Sequence, residues 1–181
     1  MRRGSKQNPP GVSTSDEAGR VAGGRHLGSG MDPWMDYLVR FAATAHEKDL
    51  AFELRRAVFE TEQNVPRPLD RDAHDANADH VVAFDPSGRC VGTGRVVRLD
   101  SRTCQIGRMA TSADHRKHGV GAQVLEALER IAALRGLAEI VVHAQLPAES
   151  FFRNRGYVTD GAPFKEEGVP HVRMRKLLVR Q

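Results

Sequence analysis

A chain of 181 residues, 40% hydrophobic and 28% charged, has the length of one domain with a real core. No apolar run is long enough to span a bilayer, so no membrane partner is expected. The formal charge of +4 belongs mostly to the first thirty residues, where Arg2, Arg3, Lys6, Arg20 and Arg25 outnumber Asp16 and Glu17. The remainder shows no basic stripe apart from a turn at Arg116 and the terminal Arg173, Arg175, Lys176 and Arg180, which argues against a nucleic-acid partner.

Residues 1–34 are rich in Gly, Ser, Pro and Arg and lack apolar periodicity, so a disordered leader is expected there. A cloning remnant or an upstream start codon would read the same, with Met31 or Met35 as the true beginning. No apolar stretch follows Arg2 and Arg3, so the segment is not a secretory signal. Residues 35–181 are expected to form a single domain.

From Tyr37 to Ala43 the pattern alternates like a strand. Leu50, Leu54, Ala57, Val58 and Thr61 then recur at helical spacing over about Glu47 to Gln63. Asn64 to Asp79, with Pro66, Pro68, Asp70, Asp72, Asp75 and Asp79, reads as an acidic surface loop. Three strands in succession follow, His80 to Phe84, Cys90 to Leu99 and Thr103 to Thr111, joined by turns at Pro86-Ser87-Gly88 and Asp100 to Arg102. An amphipathic helix runs from about Val120 to Arg135, with Val124, Leu128 and Ile131 on one stripe and Gly136 ending it. Ile140 to Ala144 is a short buried strand, Ala148 to Arg155 a short helix stopped by Gly156, and strands near Tyr157 to Asp160 and His171 to Leu177 close the chain. The sum is a mixed α/β sheet. Cys90 and Cys104 fall within strands and lack CxxC or Cys/His spacing, so they read as reduced core thiols of a cytoplasmic protein, and no metal is implied.

The chemistry concentrates where the third meander strand, Ile106 to Thr111, passes through a turn at Arg116-Lys117-His118-Gly119-Val120-Gly121-Ala122 into the long helix. Unpaired N–H groups of a helix's first turn and its dipole attract phosphate, and glycine lets the backbone approach closely. Arg116 and Lys117 add formal charge. The turn lacks the Gly-Lys-Ser/Thr end that would hold Mg²⁺, so it suits a diphosphate better than a metal-bound nucleotide; without further context a solvated helix start reads the same.

In that setting Arg116, Gly119 and Gly121, followed by Ala122, match the Arg/Gln-x-x-Gly-x-Gly/Ala hallmark, and the chain resembles the GNAT superfamily of CoA-dependent N-acyltransferases. Leu54-Arg55, Val58-Phe59, Glu62-Gln63-Asn64, Asp79-His80, Ile106-Gly107-Arg108, Ala144-Gln145 and Glu167-Gly168-Val169-Pro170-His171 make it similar to the ElaA-type branch over about Val39 to Lys176. The resemblance implies a GNAT-like fold, a central mixed but mostly antiparallel sheet of six to seven strands flanked by about four helices. It implies acetyl-CoA, or another acyl-CoA, as cosubstrate, an amine acceptor, and a homodimer as one assembly. It also implies that the strand at Met109 to Thr111 splays from Val141 to Gln145, with pantetheine filling the gap as an added strand. Met109, Ala110 and Thr111 would then bind pantetheine, Arg116 to Ala122 the diphosphate, and the Phe151-Phe152 region would lie beside the thioester. Gln145 either bonds the pantetheine arm or simply ends its strand.

Many members place a tyrosine acid in the short helix, where this chain has Phe152, and some a glutamate base on the strand before the turn, where it has Gln105. Candidate bases are therefore His143, His171, Glu62 and His80. His143 either faces the cleft or fills the opposite sheet face; Glu62 either recognises the amine or is a solvated helix-end carboxylate. Arg108 interrupts an apolar strand and is expected to pair with a buried acid, Asp79 or Glu62, or else to reach the acceptor. Phe151 reads as core. The acids of Asn64 to Asp79 would favour a cationic amine. Two other readings stand beside the acyltransferase: a CoA-binding module with little catalysis, suggested by Phe152 and Gln105, and an acyl-homoserine-lactone-synthase-like enzyme, suggested by Arg55-x-x-Val58-Phe59-x-x-Glu62.

Overall fold

The computed structural model describes residues 36–63 and 71–179. The leader expected in 1–34 lies outside them. The strands are β1 (Leu38–Phe41), β2 (Asp79–Phe84), β3 (Cys90–Arg98), β4 (Thr103–Thr111), β5 (Glu139–Gln145), β6 (Val158–Thr159), β7 (Phe164–Glu166) and β8 (Val169–Leu177). They form one sheet in the order β1-β2-β3-β4-β5-β8-β6, with β7 on β8. Every pairing is antiparallel except β4 with β5. Parallel neighbours need a long crossover; here it is α2 (Val120–Leu134). The other helices are α1 (Ala45–Arg56) and α3 (Glu149–Arg153). The described residues thus carry eight strands and three α-helices where six to seven and about four were expected. The added strand β7 is three residues long and too polar to announce itself.

Thr44 starts α1 with a capping box: its hydroxyl accepts from the Glu47 N–H at 3.2 Å, and the Glu47 carboxylate accepts from the Thr44 N–H at 3.0 Å. The helical pattern read as far as Gln63 holds in pitch only to Arg56. Ala57–Glu62 is wound as a π-helix, closed by the Gln63 N–H donating to the Val58 carbonyl at 3.3 Å. That widened turn carries Val58 and Phe59 inward.

The two faces of the sheet differ in chemistry. Against α2, Val120, Val124, Leu125, Leu128 and Ala132 pack on Val91, Val96, Ile106, Ile140 and Val142 in the main core. Gly92 and Gly94 permit that approach, since a Cβ on Gly92 would stand 2.5 Å from Val120 Cγ1. On the α1 face, two smaller apolar clusters leave room between them for charged residues and a cavity.

Candidate active site

β4 and β5 pair only from Thr103 opposite Glu139 to Ile106 opposite Val142. Beyond that, β4 stays on β3 as far as Thr111, and β5 stays on β8 as far as Gln145 opposite His171. The facing backbone edges of Gly107–Thr111 and His143–Gln145 are therefore unpaired with each other. The cause is a bulge in β4. Arg95 pairs with Gly107 and Thr93 with Ala110, so Arg108 and Met109 together oppose Gly94, and Arg108 takes φ +52°. A positive φ at a non-glycine residue costs roughly 1–2 kcal/mol and persists where its surroundings enforce it. The splay expected between Met109–Thr111 and Val141–Gln145 is present, beginning after Val142.

A cavity of about 660 Å³ opens in this notch, a size typical of small-molecule sites. Met109, Ala110, Thr111, Gln145, Phe151 and Phe152 line it. Of the turn, only Arg116 and Gly121 line it; Lys117, His118, Gly119 and Ala122 continue the turn outside the lining, and Val120 is buried in the core. Gly119, at φ +84°, begins α2 with no side-chain cap, so the helix's first N–H groups have no side-chain acceptor at that position. A Cβ on Gly121 would stand 3.7 Å from Thr111 Oγ1 and 3.8 Å from the Phe151 ring. An uncapped fifteen-residue helix and an unpaired strand edge suit, respectively, a diphosphate and an amide-bearing arm.

Arg116 folds back along the rim. Its Nε donates to the Thr111 carbonyl at 3.0 Å and its Nη2 to Glu62 at 2.5 Å. Glu62 does not line the cavity. As a base it is displaced by its place at the end of the π-helix, where its carboxylate faces a guanidinium. On the other rim, Gln145 Nε2 donates to Gln63 Oε1 at 3.0 Å. His80 is also outside the cavity: it is 1% exposed, bonds the Asp75 carbonyl at 3.2 Å, and burial lowers its pKa.

His143 alternates with core residues Val142 and Ala144 and so faces the cavity. Its Nδ1 lies 2.6 Å from Glu166 Oε2, with the Phe164 ring edge-on at 5.0 Å. An ionised carboxylate only accepts, so Nδ1 carries a proton, and in the neutral ring Nε2 is then the acceptor. His171 is similar: its Nδ1 donates to the Val169 carbonyl at 2.8 Å, and its ring stacks on Phe164. Glu166 was not legible as a site residue. It reaches His143 because β7 and β8 meet at a two-residue turn, Glu167–Gly168, with φ of +49° and +80°.

Phe152 is buried, edge-on to Phe151 at 5.0 Å and to Tyr157 at 5.5 Å, yet borders the cavity. Phe151, read as core, is half-buried and lines the cavity with Arg155 over its ring at 3.9 Å. The chain has two tyrosines, Tyr37 and Tyr157, and neither lines the cavity. Tyr157 donates to Glu129 at 2.9 Å, and burial raises its pKa. Gln105 lines the cavity from β4.

The acids read as a surface loop are largely drawn inward. Asp70 lies outside the described residues. Asp75, 8% exposed, accepts from Arg55 at 2.8 and 3.2 Å and from Arg95. Asp72 accepts from both Nη atoms of Arg95 at 2.7 Å and from Arg108 Nη2 at 3.0 Å. Asp79 pairs with Arg135 at 2.9 Å. Arg108 therefore pairs with Asp72, not with Asp79 or Glu62. Burial works to raise the pKa of Asp72 and Asp75, but hydrogen bonds from Arg95, Arg108 and Arg55 outweigh it, and both carboxyls sit below the usual range. Asp72, His74, Arg95 and Arg108 border the cavity, so this rim is rich in arginine. Among the described residues no group of His, Cys, Asp and Glu could hold a metal ion, and no helix is long and apolar enough to cross a membrane.

A sheet splayed at one parallel pair, with an uncapped glycine-led helix at the mouth, defines the architecture of an acyl-CoA-dependent transferase. Residues 41–178 match the model of the acetyltransferase (GNAT) domain, and the chain belongs to that family. A Bacillus subtilis (strain 168) protein provisionally described as an acetyltransferase is 36% identical over 72% of this chain and 90% of its own length. A Lactobacillus plantarum structure provisionally described as an N-acetyltransferase aligns with a TM-score of 0.72 at 30% identity, covering 79% of this chain and 99% of its own. The Escherichia coli ElaA structure shares the fold, with a TM-score of 0.67 at 24% identity over 78% of this chain and 98% of its own. The protein is an N-acetyltransferase that takes its acyl group from acetyl-CoA.

Proposed function

We propose that the protein transfers the acetyl group directly from acetyl-CoA to a primary amine, with His143 as the base. The observation that carries this reading is the notch itself, with the Arg116–Ala122 turn at one end and the His143–Glu166 pair beside it. Arg116, Lys117, His118, Gly119, Val120, Gly121 and Ala122 would receive the diphosphate through backbone N–H groups and cationic side chains. The open edge of Met109–Thr111 and the Gln145 side chain would bind the pantetheine arm, and Phe152 would border the thioester.

The amine nitrogen attacks the thioester carbonyl carbon, the C–N bond forms, and the C–S bond breaks with its electron pair leaving on sulfur. An ammonium must first lose one proton, and the attacking nitrogen loses another as the tetrahedral centre collapses. His143 Nε2 is available to accept because Nδ1 is held by Glu166. His171 offers Nε2 in the same way from the neighbouring strand. With phenylalanine at position 152 and no tyrosine on the cavity, sulfur would leave as thiolate and take its proton from solvent or from the imidazolium. A thiol's pKa of about 8.5 makes that tolerable near neutrality, at a loss within about 10²–10⁴-fold of what a positioned acid supplies.

Calorimetric titration of acetyl-CoA into wild type and into an Arg116→Ala, Gly119→Glu double variant tests the donor half. Micromolar binding lost in the double variant is expected; absence of wild-type binding overturns the reading. His143→Ala tests the other half and should leave acetyl-CoA binding intact while turnover falls about 10²-fold or more.

A further inference from the structure

We infer that the acceptor is a small zwitterion, an amine bearing a carboxylate a few atoms away as in an amino acid, with Arg108 holding the carboxylate. The inference rests on the acyltransferase reading above and specifies its substrate class. It departs from the expectation of a cationic amine, because Asp72, Asp75 and Asp79, which helped to carry that expectation, are paired with arginines.

In the network beside the notch, Arg95 and Arg108 share Asp72, and Arg95 also reaches Asp75, which Arg55 holds from the other side. Arg95 directs both its Nη atoms at Asp72 and is almost fully buried. Arg108 is the less committed member. Its Nε, at 3.3 Å, and Nη2, at 3.0 Å, both point to Asp72 Oδ2, an oxygen that already accepts from Arg95 at 2.7 Å. Its Nη1 has no hydrogen-bond partner among the described residues, and its side chain is 20% exposed where it borders the cavity. A planar guanidinium with unused N–H groups beside a cavity is suited to a carboxylate.

The opposite rim has the opposite character. Glu166 and Glu167 line it with His143 and His171. The bulge puts Arg108 two residues past the last β4–β5 pair, and His143 is one residue past it on the other strand. The mouth of the notch is thus flanked by a cation on one side and a carboxylate-supported base on the other. An ammonium would be drawn to Glu166, losing its proton to His143, while a carboxylate on the same molecule meets Arg108. The transfer step is unchanged: C–N forms, C–S breaks, and the carboxylate takes no part in the bond exchange.

The test measures acetyl-CoA-dependent thiol release by the full chain with the twenty proteinogenic L-amino acids, their α-carboxamides and their decarboxylated amines, alongside acetyl-CoA calorimetry. Turnover of one or more free amino acids, at least tenfold above the matched amide and amine in kcat/KM, is expected. In Arg108→Gln that preference should fall about ten- to a hundredfold through KM, the range for losing a charge-assisted hydrogen bond. Arg108→Lys should retain part of it, and acetyl-CoA affinity should stay within about twofold in both variants. Asp72 keeps Arg95 in either variant, so the fold is retained. Equal or better use of amides or plain amines, or acetyl-CoA binding with no turnover of any amino acid, overturns the zwitterion inference and leaves the donor reading standing. Failure to bind acetyl-CoA overturns the donor reading itself.

Discussion

Asp75→Asn removes the anion on which two buried guanidiniums converge. Arg55 is 1% exposed and Arg95 6%, and the Asp75 carboxylate accepts from both and from the Asp72 N–H at 2.7 Å. Asparagine keeps one acceptor oxygen but turns an NH₂ group toward a cation, and the negative charge shared by Arg55 and Arg95 at that contact is lost. Breaking a buried pair in this way costs about 3–5 kcal/mol. At roughly 2–4 °C per kcal/mol for a domain of this size, Tm should fall by about 6–20 °C. The exposed Arg71–Asp49 pair, at 2.5 Å with both side chains more than half exposed, is the control, and Asp49→Asn should leave Tm unchanged. Because Asp75 titrates below its unfolded value, its contribution is complete above the unfolded pKa of about 3.9 and is lost as pH falls through the folded value. The gap between wild type and variant should therefore close only in acid below about pH 4. A loss under about 1 kcal/mol at pH 7, by urea or thermal unfolding, would show that the network contributes no more than a surface pair and would refute the reasoning.

Four further outcomes are expected. Glu62→Gln frees Arg116 from its ion pair, so acetyl-CoA should bind up to about fivefold more tightly by calorimetry, the span of a partly exposed ion pair; weaker binding would mean that Glu62 positions Arg116 for the donor. Phe152→Tyr places a hydroxyl at the cavity wall and should raise kcat above wild type, with the gain lost if the ring turns into the core instead. Gly92→Ala should cost about 1–3 kcal/mol, because its Cβ would meet Val120 Cγ1, a stiff β-branched neighbour, at 2.5 Å; Gly107→Ala, with nothing within 4 Å, should cost nothing measurable by the same unfolding assay. Both thiols have pKa values pushed up to about 11, chiefly by burial, so a chromogenic disulfide should modify native protein far more slowly than urea-unfolded protein at pH 8.

The strands of the meander and helix α2 were legible because each buries one regular face: Val124 and Leu128 at helical spacing, Cys104 and Ile106 at strand spacing. The turn at Arg116–Ala122 and its uncapped helix start were legible because glycine, arginine and a helix start are local features. The bulge was not. Nothing in Gly107-Arg108-Met109 signals an αL conformation at Arg108 rather than at the adjacent glycine, and the cause lies in register against β3. The acidic stretch misled for a related reason: composition reports charge and is silent about partners, and the arginines that neutralise Asp72 and Asp75 come from α1, β3 and β4. Glu166 escaped notice because its importance depends on a hairpin that folds it across to a strand more than twenty residues away in sequence.

The single parallel pairing has a consequence for how such a protein can change. A parallel neighbour requires a crossover, so β4, the turn, α2 and β5 form one uninterrupted stretch, 103–145, that holds almost all of the groups proposed to bind the donor. The cavity residues proposed to face the acceptor are scattered: Asp72, Arg95, Arg108, His143, Glu166 and His171 come from five strands and a loop. Lineages descended from a common ancestor could thus keep the donor stretch as one heritable block and diverge in acceptor by substitutions at positions far apart in the gene, most of them outside that block.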